Sequence, residues 1–129
     1  MLEGFVKLPI LSGSSFVSVT SNEINFNGNV VFHMKKAEYV SLLLNSKEKK
    51  IAIQKCDKDD EDKIQFFREG TNWKNGVRFN NRDIQQMIAM MMGWDLEKFN
   101  YRADGIYVDD EHAMVFDLNT ARKFLKKNR

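Results

Sequence analysis

Ile24-Asn25-Phe26-Asn27 and Val77-Arg78-Phe79-Asn80 are two versions of one pattern. In each, apolar and polar residues alternate at the period of a half-buried strand. An asparagine then stands where a helix N-cap would accept from the free amides of the next turn. Each quartet opens a short helical stretch, followed by an apolar strand, a charged turn and a second apolar strand. The first series ends near Cys56 and the second near Leu118. This order predicts an α+β fold of two tandem strand-strand-helix-strand-strand units sharing one core, with internal repeats at about 16–56 and 64–118. The chain, 1–129, reads as a single domain, long enough to bury a core without metals or disulfides.

Working outward, Phe16-Val17-Ser18-Val19 precedes the first quartet as a strand, and Ile64-Gln65-Phe66-Phe67 precedes the second. The first helix is expected over about 28–38, with Val30, Val31, Met34 and Ala37 on one face. Tyr39 to Leu44 and Lys50 to Lys55 form a hairpin around Asn45-Ser46-Lys47-Glu48. Tyr101 to Val108 and His112 to Leu118 form another around Asp109-Asp110-Glu111. Asn80 is expected to cap the second helix, over about 81–92, with Asp83 in its first turn and Gly93 as a left-handed stop. Phe26, Phe79, Leu43, Ile53, Ile88 and Phe116 are the expected shared core. A terminal helix is expected over about 119–128, burying Ala121, Phe124 and Leu125. Ahead of the repeats, Met1 to Ser15 reads as a leader along one edge, broken by Pro9 and Ser12-Gly13-Ser14-Ser15.

Composition narrows the function classes. Hydrophobic residues make up 43% and charged residues 29%, as in ordinary globular proteins, and the ten Phe residues supply much of the core volume. Net charge is only +2, yet Asp57 to Asp62 carries five acids against one Lys, which leaves +6 on the rest of the chain. That acidic run reads as a solvated connection between the halves. It lacks the Gly at position 6 and the Glu at position 12 of an EF-hand loop. The single Cys56 excludes an intrachain disulfide and fits a reducing cytoplasm. No stretch approaches the roughly 18 apolar residues of a membrane helix, so no membrane partner is expected.

No nucleophile elbow, P-loop or dinucleotide fingerprint occurs, and His33 and His112 have no partner at zinc-ligand spacing. A non-enzymatic module without cofactor or metal is therefore expected. Two kinds of partner compete. Five basic residues and no acid fall between Ala121 and Arg129, which suits phosphate contact. Lys74, Arg78, Arg82, Arg122, Lys123, Lys126 and Lys127 are the candidate nucleic-acid-binding residues. Against this, Met87, Met90, Met91 and Met92 crowd one helix. Three consecutive Met residues cannot all face inward, so this helix could bind a protein partner or a second copy. Ala89 and Gly93 also have the spacing of a helix-turn-helix, although Asp95 and Glu97 would repel phosphate in its recognition helix.

The element order in each half resembles the swapped-hairpin unit of AbrB-like DNA-binding domains, including MazE-type antitoxins. There a strand leads into a short helix and a strand-turn-strand hairpin, and two copies interlock into a small barrel. Ile24 to Ile53 is similar to one copy and Gly76 to Phe116 to a second, longer one. The resemblance implies a family dimer fused in tandem and a role in DNA binding and transcription regulation. The family has an Arg just after a Gly in its first strand, and a Pro before the helix. Gly76, Arg78 and Lys74 partly restore this in the second half, whereas Glu23 and Asn27 replace it in the first.

Overall fold

The computed structural model of the chain describes residues 2–5 and 13–126. Among the described residues, nine strands and two α-helices make a mixed α+β fold, dominated by one antiparallel sheet. The strands are β1 (Phe16–Val19), β2 (Ile24–Phe26), β3 (Tyr39–Asn45), β4 (Lys50–Lys55), β5 (Ile64–Gln65), β6 (Val77–Phe79), β7 (Phe99–Val108), β8 (Ala113–Asp117) and β9 (Arg122–Leu125). They run in the order β5-β3-β4-β8-β7-β1-β2-β6, with β9 added on β7. The sheet curls on itself. Phe26 of β2 lies 5.6 Å from Phe116 of β8 and 5.7 Å from Phe66, just beyond β5, between ring centroids. These rings, with Ile24, Val30, Ile51, Ile53 and Ile88, fill the interior.

Both helices start on asparagine side chains. Asn27 Oδ1 accepts from the Val30 amide at the head of α1 (Gly28–His33). For α2 (Arg82–Met92) the cap is Asn81, which accepts from Ile84, one residue later than the sequence suggests. Gln85 explains the shift. It is 1% exposed, accepts from the Asn81 amide and donates to Thr20 O, so a buried polar side chain is fully engaged only in this frame. Gly93 ends α2 in the left-handed conformation, as expected. The first helix is shorter than expected, because Lys35 and Lys36 both adopt positive φ and close it after His33. No second helix follows Gly93: residues 99–108 are strand β7, which removes the helix-turn-helix reading.

The pairing scheme nearly maps onto itself. Exchange β1 with β5, β2 with β6, β3 with β7 and β4 with β8. The pairs β1–β7 and β3–β4 then become β5–β3 and β7–β8, while β2–β6 and β4–β8 are unchanged. Registers follow. Leu42–Ile53 corresponds to Gly105–Phe116 and Asn45–Lys50 to Val108–Ala113, a constant offset of 63 residues. Lys49 and His112, the last residues of the two hairpin turns, differ by that same offset and both take positive φ, 58° and 49°. The exchange fails at β1–β2, because β5 and β6 are not paired, and β9 has no counterpart strand.

The terminal helix expected over about 119–128 is not formed in its described part, residues 119–126. A 3-10 turn (Leu118–Thr120) leads into strand β9, whose residues pair Phe99 to Arg102 of β7. Beyond Val108 to Gly105, where β8 ends, this edge of β7 would otherwise have no ladder partner, and β9 supplies it. Ala121 is half-buried, but Phe124 and Leu125 are 40% and 75% exposed, so the apolar face attributed to a helix is not buried. Two core assignments also change: Phe79 is half-buried and Leu43 is 43% exposed. Leu43 pairs Ala52 on β4, and strand alternation turns both away from the interior that holds Ile51 and Ile53. The leader around Pro9 lies outside the described residues.

Candidate nucleic-acid interface

Alternation along each strand sends one set of side chains inward and the next outward. On β1, Val17 and Val19 face the interior and Ser18 points to the other side, where it too is largely covered, at 9% exposure. On β2, Ile24 and Phe26 are buried and Asn25 lies between them. Because registers run straight across, the outward residues form a row. Arg78 on β6 pairs Asn25, Asn25 pairs Ser18, Ser18 pairs Arg102 on β7, and Arg102 pairs Arg122 on β9. Four strand spacings of about 4.8 Å make this row roughly 19 Å long, measured along the sheet.

Three arginines in one row differ in how they are held. Arg78 Nε lies 3.6 Å from a Glu23 carboxylate oxygen, and Arg122 Nη2 lies 3.1 Å from Asp104 Oδ1, which also accepts from Ser14 Oγ. Both pairs are substantially exposed, so each contributes only about 0–1 kcal/mol and opens readily for a competing anion. Arg102 is different. Its guanidinium carbon sits 4.8 Å from the Phe16 ring centroid and 4.7 Å from that of Phe124. Among the described residues it has no carboxylate partner. Two rings flank the guanidinium, and no hydrogen bond among the described residues occupies its N–H donors. A guanidinium placed so can offer its donors to an oxyanion.

Asn25 Oδ1 on this row and Asn100 Oδ1 beside it on β7 are buried without a hydrogen-bond partner among the described residues. An acceptor left so costs about 1–3 kcal/mol.

The other residues singled out from sequence are scattered. Arg78 and Arg122 share the row. Lys123 points to the opposite side of β9, its ammonium 4.7 Å from the Phe99 ring centroid. Lys126 follows β9 and its ammonium donates to Ser21 Oγ. Lys74 is exposed in a 3-10 turn (Trp73–Asn75), 5.9 Å from the Trp73 ring centroid, and Arg82 is the exposed first residue of α2. Lys127 lies outside the described residues. Arg102, the best-placed cation, was missed. Its signal was the alternation Asn100-x-Arg102-x-Asp104 in a strand whose intervening Tyr101 and Ala103 are buried.

A second feature is apolar. Between α2 and the β3–β5 edge runs a groove of about 430 Å3, lined by Leu42, Leu44, Ile64, Phe79, Ile84 and Met87 among others. Met90 is 82% exposed and Met87 45%, while Ile88 and Ala89 face inward. Among the described residues no group of three His, Cys, Asp or Glu side chains could hold a metal ion, and no helix is long and apolar enough to cross a membrane. No family model, curated protein or solved structure matches the chain.

Proposed function

We propose that the chain is a tandem pair of related strand-strand-helix-strand-strand units, akin to a fused AbrB/MazE-type dimer, and that it binds the phosphate backbone of duplex DNA as a regulatory module. The observation that carries this reading is Arg102, whose guanidinium lies over the rings of Phe16 and Phe124 and has no carboxylate partner among the described residues, in one row with Arg78 and Arg122. Scale supports it as well. Arg78 and Arg102 are three strand spacings apart, about 14 Å along the sheet, close to the roughly 12 Å width of a major groove. A duplex seated with its groove over Asn25 and Ser18 would bring both guanidinia to flanking phosphates.

The test is a salt series on random duplex DNA with the native protein, Arg102→Ala and Arg102→Lys. Arg102→Ala should weaken binding by about 10- to 150-fold, since a charged hydrogen bond is worth about 1.5–3 kcal/mol. It should also lower the slope of log affinity against log salt by about 0.9. Arg102→Lys should keep the slope but lose affinity, because an ammonium cannot use the flat slot between two rings. Absence of binding to duplex DNA at low salt overturns the reading.

The exposed Met87 and Met90 beside an apolar groove favour a second reading, in which this helix face docks a protein partner or a second copy of the chain. Here the expected result is concentration-dependent association in sedimentation experiments, abolished in the Met87→Lys, Met90→Lys double variant with no change in melting temperature. A native protein that stays monomeric to high concentration removes the homodimer.

A further inference from the structure

The near-exchange of the two halves permits a residue-by-residue comparison of their charge. Resting on the nucleic-acid reading above, we infer that the protein binds its polyanion on one side of the β2–β6 pair only, in a single orientation. The acidic run from Asp57 to Asp62 is the element that excludes the other side.

The register itself defines the comparison. Asn25 and Arg78 are direct partners at the centre of β2–β6, where the pairs Ile24–Phe79 and Phe26–Val77 exchange with one another. Arg102 pairs Ser18 on one side of this centre. Its counterpart, 63 residues earlier, is Tyr39, which pairs Gln65. The stacked arginine is therefore answered by an uncharged tyrosine. The next position is more pointed. Sixty-three residues before Arg122-Lys123-Phe124-Leu125 stands Asp59-Asp60-Glu61-Asp62.

The match is spatial as well as sequential. On the cationic side Asp104 of β7 is the residue that meets Arg122, at 3.1 Å. The counterpart of Asp104 is Ser41 of β3, and Ser41 Oγ reaches Asp60 Oδ2 at 3.5 Å. The acidic run thus docks against β3 within one residue of where β9 docks against β7, with its charge inverted.

A symmetric pair of units would offer equal phosphate contacts to the two halves of a palindrome. This chain offers Arg102 and Arg122 on one side and Tyr39 and a carboxylate cluster on the other. Phosphates approaching the second side meet like charge, so a duplex that crosses the centre is repelled along half its length. The consequence is a short, non-palindromic footprint. The same carboxylates would oppose binding in the reversed orientation.

The experiment neutralises the run while keeping its turn chemistry. Asp59→Asn, Asp60→Asn, Glu61→Gln and Asp62→Asn are combined in the full chain. At position 60 asparagine keeps one oxygen to accept from the Asp62 amide, and its NH2 group can donate to Ser41 Oγ, the hydroxyl that donates to Asp60 Oδ2 in the native chain. Circular dichroism and melting temperature verify folding. Binding is measured by anisotropy on random duplexes of increasing length, with hydroxyl-radical footprinting on the longest. The native protein should gain no affinity beyond a short duplex and protect one contiguous segment on one side of its centre. The quadruple variant should bind about tenfold tighter at low salt, a difference that shrinks as salt screens it. Its protected segment should extend across the centre. An unchanged footprint and affinity in the variant, or symmetric protection by the native protein, overturns this inference and leaves DNA binding standing. Failure of the native protein to bind any duplex removes both.

Discussion

Phe26→Ala should cost about 3–5 kcal/mol of folding stability and lower the melting temperature by roughly 10–20 °C. Phe26 is 1% exposed and its ring touches three others, at 5.7 Å to Phe66, 6.1 Å to Phe79 and 5.6 Å to Phe116. Phe66 follows β5 at one end of the strand order, Phe79 lies on β6 at the other and Phe116 on β8 between them, so the cavity left behind cannot close by moving one neighbour. A domain of this size holds only about 5–15 kcal/mol in total, and the loss would leave it marginal. Phe124→Ala is the matched control. That ring is 40% exposed and should cost under about 1 kcal/mol. Thermal denaturation of the two variants checks the ranking, and equal melting temperatures would remove Phe26 from the centre of the core.

Gly76→Ala is expected to be nearly as damaging for a different reason. Gly76 has φ 74° and ψ −169°, a conformation that only glycine adopts freely, at a cost of about 1–3 kcal/mol for other residues. A Cβ there would also come within 2.3 Å of Phe26 O, a backbone atom that cannot rotate away. Forcing β2 and β6 apart adds about 1–3 kcal/mol more. Gly70→Ala separates the two contributions. Gly70 has φ 92°, yet an added Cβ would meet nothing within 4 Å. Gly76→Ala should therefore be the more destabilising by about 1–3 kcal/mol in chemical denaturation. Since Gly76 immediately precedes β6, its replacement should also loosen Arg78 from the arginine row and weaken the proposed DNA binding beyond what the stability loss predicts.

How far the residues alone carry the reading depends on the range of the interaction that decides each element. Asn27 as a cap, Gly93 as a stop and the two strand-turn-strand hairpins are set by contacts a few residues apart, and all were legible. The α+β class and the order of elements follow from them. The segment after Leu118 shows the limit. Ala121, Phe124 and Leu125 are spaced as one face of a helix, but Arg122 to Leu125 can also extend. The choice falls to the unpaired edge of β7 at Phe99 to Arg102, about twenty residues earlier in the chain. Local pattern cannot see that edge.

The candidate site divides in the same way. A basic strand residue such as Arg78, or a basic cluster such as Arg122 and Lys123, is visible as composition. Which of them share a surface is a matter of register. Pairing of Arg102 with Ser18 and Arg122 puts these residues with Arg78 in one row, while alternation sends Lys123 to the other side, over Phe99. The stacking of Arg102 needs Phe16 and Phe124, which are separated by nearly the whole chain. Short-range chemistry thus determined the caps, turns and hairpins of this protein. Only the tertiary structure decided the fate of its last segment and the membership of its charged face, because strand pairing couples residues that no local periodicity connects.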